Sequence, residues 1–171
     1  MTIPKHVTFE SCTEKIDIQD IEEVEAALGV RFPKDFVECM LENNEGCPVP
    51  CVFDYEEGEG KVFHTFYSLS SKVGSYYILT AHEDLKVCVP DGVIPIGYDA
   101  AGNYICFDYS NGKHAEPIVV FVHHEFLITE EDLYEGEIEE KSLEEWQRDA
   151  ISPVAETFTE FLSKLYEGGD E

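Results

Sequence analysis

Apolar residues recur at helical spacing from Ile18 through Ile21 and Val24 to Leu28, while Asp20, Glu22, Glu23 and Glu25 fill the positions between them. That period predicts an amphipathic helix, with Asp17 as its N-cap and Gly29 as the residue that ends it. After the short connection Val30-Arg31-Phe32-Pro33, a second helix takes its apolar face from Phe36, Val37, Met40 and Leu41, and Pro33 suits its first turn. Asn43-Asn44-Glu45-Gly46 closes it with residues that tolerate left-handed backbone. Two helices joined by so short a link are expected to pack against each other. The first 15 residues show no clear period and read as either a strand or a loosely held arm.

The middle of the chain changes to a strand pattern. Val49 to Phe53 reads as a first strand whose prolines confine it to an edge or a strand start. Asp54 to Gly60 reads as an acidic, glycine-containing loop, and Lys61 to Leu69 as a strand rich in aromatic and β-branched residues. In Ser75 to Val89 the recurrence of Tyr76, Leu79, His82 and Leu85 favours a third helix over a strand. Val93 to Gly97, a turn at Asp99 to Asn103, Tyr104 to Tyr109, a loop at Ser110 to Glu116, and Pro117 to Val122 then form a meander with a buried last strand. Glu130 to Glu145 is acidic, with sparse apolar residues, and reads as an exposed insertion or a weak helix. A closing helix is expected with Ser152 as N-cap, Pro153 at its first position, Val154, Phe158, Phe161, Leu162 and Leu165 on one face, and Gly168-Gly169 as its stop. Helices at both ends with strands between predict an α+β fold. It is expected to be one domain over residues 1–171, with a largely antiparallel central sheet flanked by the N-terminal helix pair and the C-terminal helix. The core would span about 18–166 and the acidic insertion about 130–145.

Charge alters this picture. The 171 residues carry 37 Asp and Glu against 11 Lys and Arg, a formal net charge of −26. Self-repulsion of that size opposes compaction, so the charge serves solubility or a basic partner. It argues against direct nucleic-acid readout and against anionic membrane surfaces. The apolar run Pro117 to Val122 is far too short to span a bilayer, and the opening Met1-Thr2-Ile3-Pro4-Lys5-His6 has no signal layout, so a cytoplasmic location is expected.

Little in the sequence suggests chemistry. Of six cysteines, Cys39, Cys88 and Cys106 lie among apolar neighbours and read as small core residues. Cys47 and Cys51 are three residues apart with no second pair at zinc spacing, so buried or loop thiols are the better reading. His123 and His124, adjacent on a strand, would point to opposite faces, and His64, His82 and His114 are scattered. No Walker loop, dinucleotide fingerprint, nucleophile elbow or EF-hand pattern occurs. No cofactor, metal site or catalytic residue is expected, and the chain reads as a non-enzyme.

Three stretches nevertheless stand in a recognisable order. Ile21-Glu22-Glu23-Val24-Glu25-Ala26-Ala27-Leu28-Gly29, Phe32-Pro33-Lys34-Asp35-Phe36 and Asn44-Glu45-Gly46 together form one. Ile94-Pro95-Ile96-Gly97-Tyr98-Asp99 with Gly102-Asn103-Tyr104-Ile105-Cys106-Phe107-Asp108 forms the second, and Val154 to Leu162 the third. From about Ile18 to Leu165 the chain resembles the SUKH superfamily, bacterial immunity proteins related to a fungal cell-wall synthesis regulator (Smi/Knr-like). It departs from the family's tendencies at Asn44-Glu45-Gly46 (for Asn-Gly-Gly), at Gly102-Asn103 (for Gly-Asp), and in the length of the Glu130 to Glu145 stretch. The resemblance implies a protein that binds and neutralises a cognate toxin, often a nuclease. The charge argument agrees independently, because a nuclease presents the basic surface that carboxylates can cover. The related fungal branch implies a regulatory interaction module instead.

Two groups of residues, and the acidic stretch Glu130 to Glu145 as the alternative to a plain charged face, are candidates for partner contact. Asp54, Tyr55, Glu56, Glu57 and Glu59 interleave carboxylates with an aromatic anchor and form either a contact for a basic groove or a solvated loop. Tyr98, Asp99, Asn103 and Asp108 surround the turn of the second signature and either satisfy turn geometry or form a ligand surface.

Overall fold

The computed structural model describes residues 3–168, and its first helix begins where the Asp17 carboxylate can cap it. Met1, Thr2 and Gly169 lie outside the described residues. A short strand β1 (Thr8–Glu10) precedes α1 (Ile18–Leu28). Asp17 Oδ1 accepts from the Asp20 N–H at 3.0 Å and Asp20 Oδ2 accepts from the Asp17 N–H at 3.1 Å, a reciprocal capping box. Gly29, at φ +71°, ends the helix in the left-handed conformation. Ile21 and Val24 are fully buried, whereas Ile18, expected on the same face, is half exposed in the first turn.

Helix α2 (Lys34–Asn43) starts after Pro33 and buries Phe36, Cys39 and Met40 completely. The two helices do not make each other their main partner: α1 packs chiefly on α3 (Ile78–Leu85) and α2 on α6 (Phe158–Ser163). Phe36 is the hub, with edge-on contacts to Phe32 at 5.0 Å, Phe107 at 5.0 Å and Phe158 at 5.1 Å. Each such contact adds roughly 0.5–1.5 kcal/mol beyond area burial. Eight phenylalanines are fully buried, so most of this residue type forms the core.

Strands β2 (Cys47–Val49), β3 (Val52–Tyr55), β4 (Gly58–Phe66), β5 (Val93–Asp99), β6 (Tyr104–Asp108), β7 (Ile118–Val122) and β8 (Ile151–Ala155) complete the sheets. β1 pairs antiparallel with β2, and β3 to β8 form one antiparallel sheet in strict chain order. The fold is therefore α+β. Along β6 and β7 alternate residues enter two cores. Ile105, Phe107, Val119 and Phe121 join the large one beneath the helices, and Cys106, Val120 and Val122 join a smaller one with Leu85 and Val89. A sheet covered on both faces explains why these strands read as continuous apolar runs.

Four of the ladders carry register shifts, which bend strands and increase twist. The sheet curls until its outer strands meet, with the Glu56 N–H donating to the Pro153 carbonyl at 3.4 Å. Here one expectation is overturned. Ser152-Pro153-Val154 forms β8 rather than a helix start, and α6 begins at Phe158, capped by Thr157 Oγ1 accepting from the Glu160 N–H at 3.0 Å. The Pro153 carbonyl points away from β7, so its missing N–H falls where no ladder bond is needed. The third helix is likewise shorter than its period suggested. Tyr76 lies outside it and is exposed, while Ile78 and Leu85 are its buried residues.

The acidic stretch folds back over the smaller core through short α4 (Glu135–Glu140) and α5 (Leu143–Arg148). Buried Gln147 anchors it, its amide donating to the carbonyls of Val87 at 3.1 Å and Ile128 at 3.3 Å. Arg148 pairs with buried Asp108.

At the end of α2 the buried Asn44 amide joins three segments. Its Nδ2 donates to Thr13 Oγ1 and Ser68 Oγ, both at 2.9 Å, and its Oδ1 accepts from the Leu69 N–H at 2.9 Å. Asn44→Ala should lower the unfolding free energy by about 1–3 kcal/mol, because it orphans buried polar groups. Removing the exposed Lys15–Glu42 pair by Lys15→Ala should cost no more than about 1 kcal/mol. Urea unfolding of both variants checks this; equal losses would mean that the amide is replaceable.

Candidate functional site

The expected acidic loop is mostly strand. Tyr55 pairs with Gly58, leaving a two-residue tip of Glu56 and Glu57 between β3 and β4. Asp54 Oδ1 accepts from the Gly60 N–H at 2.9 Å and from the Tyr166 hydroxyl at 2.6 Å. The hydroxyl bond first, then the backbone bond, holds this carboxyl below its ordinary pKa. The Tyr55 ring stacks on Phe121 with centroids 4.4 Å apart, and Lys61 Nζ lies within 6 Å of both rings. Tyr55 therefore braces the hairpin as well as lining its surface. Glu56, Glu57 and Glu59 are exposed and form no ion pair among the described residues.

Because the curled sheet brings β3 beside β8, the hairpin walls a groove of about 470 Å³. Asp54, Tyr55 and Glu56 face Pro153, Val154, Lys164 and Tyr166 across it. The Lys164 ammonium donates to the Val154 carbonyl at 2.5 Å, which ties the chain after α6 to β8. The chain after α6 also pairs with β3, Tyr166 and Val52 exchanging backbone bonds of 2.9 and 3.1 Å. The groove is thus bounded by backbone-paired segments on both sides.

The second candidate group is placed differently. Asp99 Oδ1 accepts from the N–H groups of Ala101 at 3.0 Å and Asn103 at 2.7 Å, and its Oδ2 accepts from Asn103 Nδ2 at 3.0 Å. Asn103 Oδ1 accepts from the His124 N–H at 2.9 Å and lies 2.6 Å from His124 Nδ1. Asp108 receives Arg148 Nη1 at 2.5 Å and the Ser110 hydroxyl at 2.5 Å. All three residues are buried, and their oxygens hold the β5–β6 turn, the chain after β7 and α5. Tyr98 remains half exposed. Register places Asp99 toward the hairpin's end of the sheet and Asp108 at the opposite end, so these residues do not form one surface.

The histidine expectation also changes. The chain leaves β7 at Val122 and enters a 3₁₀ turn at His124, so the His123 and His124 rings lie side by side, 6.1 Å apart and 20° from parallel. All six cysteines are free thiols; burial pushes Cys39 up to about 12 and raises Cys106 well above its ordinary value. Among the described residues no helix is long and apolar enough to cross a membrane.

Sequence spacing did not reveal a cleft of about 280 Å³ walled by Tyr67, Tyr76, Tyr77 and Tyr104, with Asp84 at its edge. Its residues come from the chain just after β4, the loop before α3, α3 itself and β6, so only the chain's path assembles it. Burial raises the phenol pKa of Tyr67, Tyr77 and Tyr104 above the ordinary value.

A family model described as SMI1 / KNR4 family (SUKH-1) matches residues 15–164. No curated protein matches the chain.

Titrated by carboxyl NMR, Asp54 should ionise below the usual aspartate value of about 3.9, and Tyr166→Phe should move it back up. A lowered folded pKa stabilises the fold above the unfolded pKa and ceases to do so as pH falls through the lowered value. The difference in Tm between the wild type and Tyr166→Phe should therefore be present at neutral pH and close in acid. Identical Asp54 titrations in the two proteins would show that the phenol does not hold the carboxylate.

Proposed function

From its membership of the SMI1 / KNR4 family (SUKH-1), to which the chain belongs, we propose that this protein is a cytoplasmic immunity protein without catalytic activity of its own. It binds a cognate basic toxin, a nuclease domain, and covers the active or substrate-binding surface with acidic residues. The observation that carries the reading is the β3–β4 hairpin. Glu56, Glu57 and Glu59 project from a rigid, backbone-paired base beside the 470 Å³ groove, with no ion-pair partner among the described residues.

Physical considerations support it. A net charge of −26 sets up a field that steers a basic partner, raising association to about 10⁸–10⁹ M⁻¹s⁻¹ at low salt. Fast capture suits an inhibitor that must act before the toxin does. Desolvating fixed carboxylates against Lys and Arg costs less ordering entropy than recruiting a mobile loop. The tip of a two-stranded hairpin, pinned at Asp54 and stacked at Tyr55, is such a fixed array.

Pull-down from native lysate at low salt, with elution by a salt gradient, should yield one stoichiometric basic protein whose nuclease activity this chain suppresses. A spread of unrelated enzymes, or a non-toxic regulatory partner, would replace the immunity reading with that of a regulatory interaction module. Reversing Glu56, Glu57 and Glu59 to Lys should weaken the toxin complex about tenfold or more and flatten its salt dependence, while the melting curve stays cooperative. Unchanged affinity would remove the hairpin from the interface.

A further inference from the structure

The tyrosine cleft has a chemistry of its own. Tyr67 is only 6% exposed, yet its hydroxyl makes no hydrogen bond among the described residues while its ring lines the cleft. The hydroxyls of Tyr76, Tyr77 and Tyr104 have no partner among them either. A buried phenol ordinarily finds a partner, and the Tyr67 hydroxyl without one, beside the half-buried Tyr77 and Tyr104 and the exposed Tyr76, leaves polar capacity for a ligand in the cleft.

The walls are rigid. Glu45 accepts with its carboxylate from the N–H groups of Ser75 at 2.9 Å and Tyr76 at 2.8 Å. The Ser68 N–H donates to the Tyr76 carbonyl at 2.7 Å. These bonds fix the loop that presents the Tyr76 ring, which is 59% exposed. Tyr98 backs the wall, its ring 5.3 Å from Tyr67 and 5.9 Å from Tyr76. A large aromatic ring held out on fixed backbone has the character of an interface anchor.

Lining chemistry selects the ligand. Asp84 is the only charged residue of the cleft, and it forms no ion pair among the described residues. An anion would be repelled there, and a neutral apolar group would leave both the Asp84 carboxylate and the buried Tyr67 hydroxyl without a partner. A cation can pair with Asp84 and lie against tyrosine faces. Among cations a planar guanidinium stacks on rings and donates several hydrogen bonds in a fixed fork, which matches unpartnered phenols better than an ammonium does. The volume, about 280 Å³, lies just below the roughly 300–1,000 Å³ of ligand sites and suits a side chain rather than a folded element.

We infer that the cleft is a receptor for an arginine side chain of the protein partner, held by Tyr67, Tyr76, Tyr77 and Tyr104 with Asp84 as counter-ion. This deepens the immunity reading by giving the basic partner a second, specific contact, and it rests on that reading only for the protein that carries the arginine. The strongly acidic surface raises the local concentration of cations, and the cleft discriminates among them.

The test needs no partner. The ¹⁵N-labelled chain is titrated with N-acetyl-arginine amide, and separately with the lysine amide, at about 0.15 M salt, where surface charge is screened beyond about 8 Å. Saturable shifts are expected at Ser75 to Asp84, Tyr67 and Tyr104, with arginine binding about two- to fivefold more tightly than lysine, the size of one exposed cation–π contact. Asp84→Asn and Tyr76→Ala, both at exposed side chains, should weaken arginine by a similar factor while leaving the rest of the spectrum in place. The Glu56, Glu57 and Glu59 reversal should leave arginine binding intact, so failure of the hairpin interface and failure of the cleft are told apart. Equal lysine binding, shifts spread evenly over the acidic surface, or an Asp84→Asn variant that binds as the wild type does would overturn the inference.

Discussion

A buried primary amide, that of Asn44, is the constraint from which much of this structure follows. Helix α2 ends there, and the same side chain fastens the segment at Thr13 and the chain leaving β4 at Ser68 and Leu69. Its two neighbours extend the control. Glu45, at φ +56°, turns its carboxylate onto the Ser75–Tyr76 loop, and Gly46 lies so close to the Asn43 carbonyl that a Cβ would stand 2.8 Å from it. Three consecutive residues thus set where the helix stops, where β2 starts and how the tyrosine cleft is walled.

The fold also shows how a chain with a net charge of −26 stays compact. Interlocked phenylalanines supply the cohesion, and many carboxylates are engaged by backbone rather than by cations. Asp17 and Asp20 cap α1, Asp132 and Glu145 close short helical turns, Asp54 holds β4, and Asp99 builds the β5–β6 turn. An N–H that meets a carboxylate at a helix start is satisfied and the charge is stabilised, each cap contributing about 1 kcal/mol. Other carboxylates are left to face solvent, and those on the hairpin tip stand on backbone that strand pairing fixes.

Much of the local structure was legible in advance because it depends on neighbours in sequence. The cap and stop of α1, the β5–β6–β7 meander and the thiol character of Cys39 and Cys106 follow from period, turn chemistry and apolar context. Errors arose where a local signal had two tertiary solutions. Ser152-Pro153 is a good helix start and also a good edge strand, and the open edge beside β7 decided for the strand. Asp54 to Gly60 has loop composition, but pairing with its own continuation makes it a hairpin.

Sequence alone determined the α+β class, the family signatures, the excess of carboxylates and the residues able to cap and turn the chain, because each is a matter of composition or of contacts a few residues apart. Tertiary structure alone decided which carboxylates are free. Asp99 and Asp108 resemble Glu56 and Glu57 as side chains, yet burial spends the first two on a turn and on Arg148 while the sheet's curvature exposes the others. It also decided that tyrosines distant in sequence, from Tyr67 to Tyr104, share one cleft. Their separation along the chain carries no period, so only the path of the strands and of α3 could bring them together.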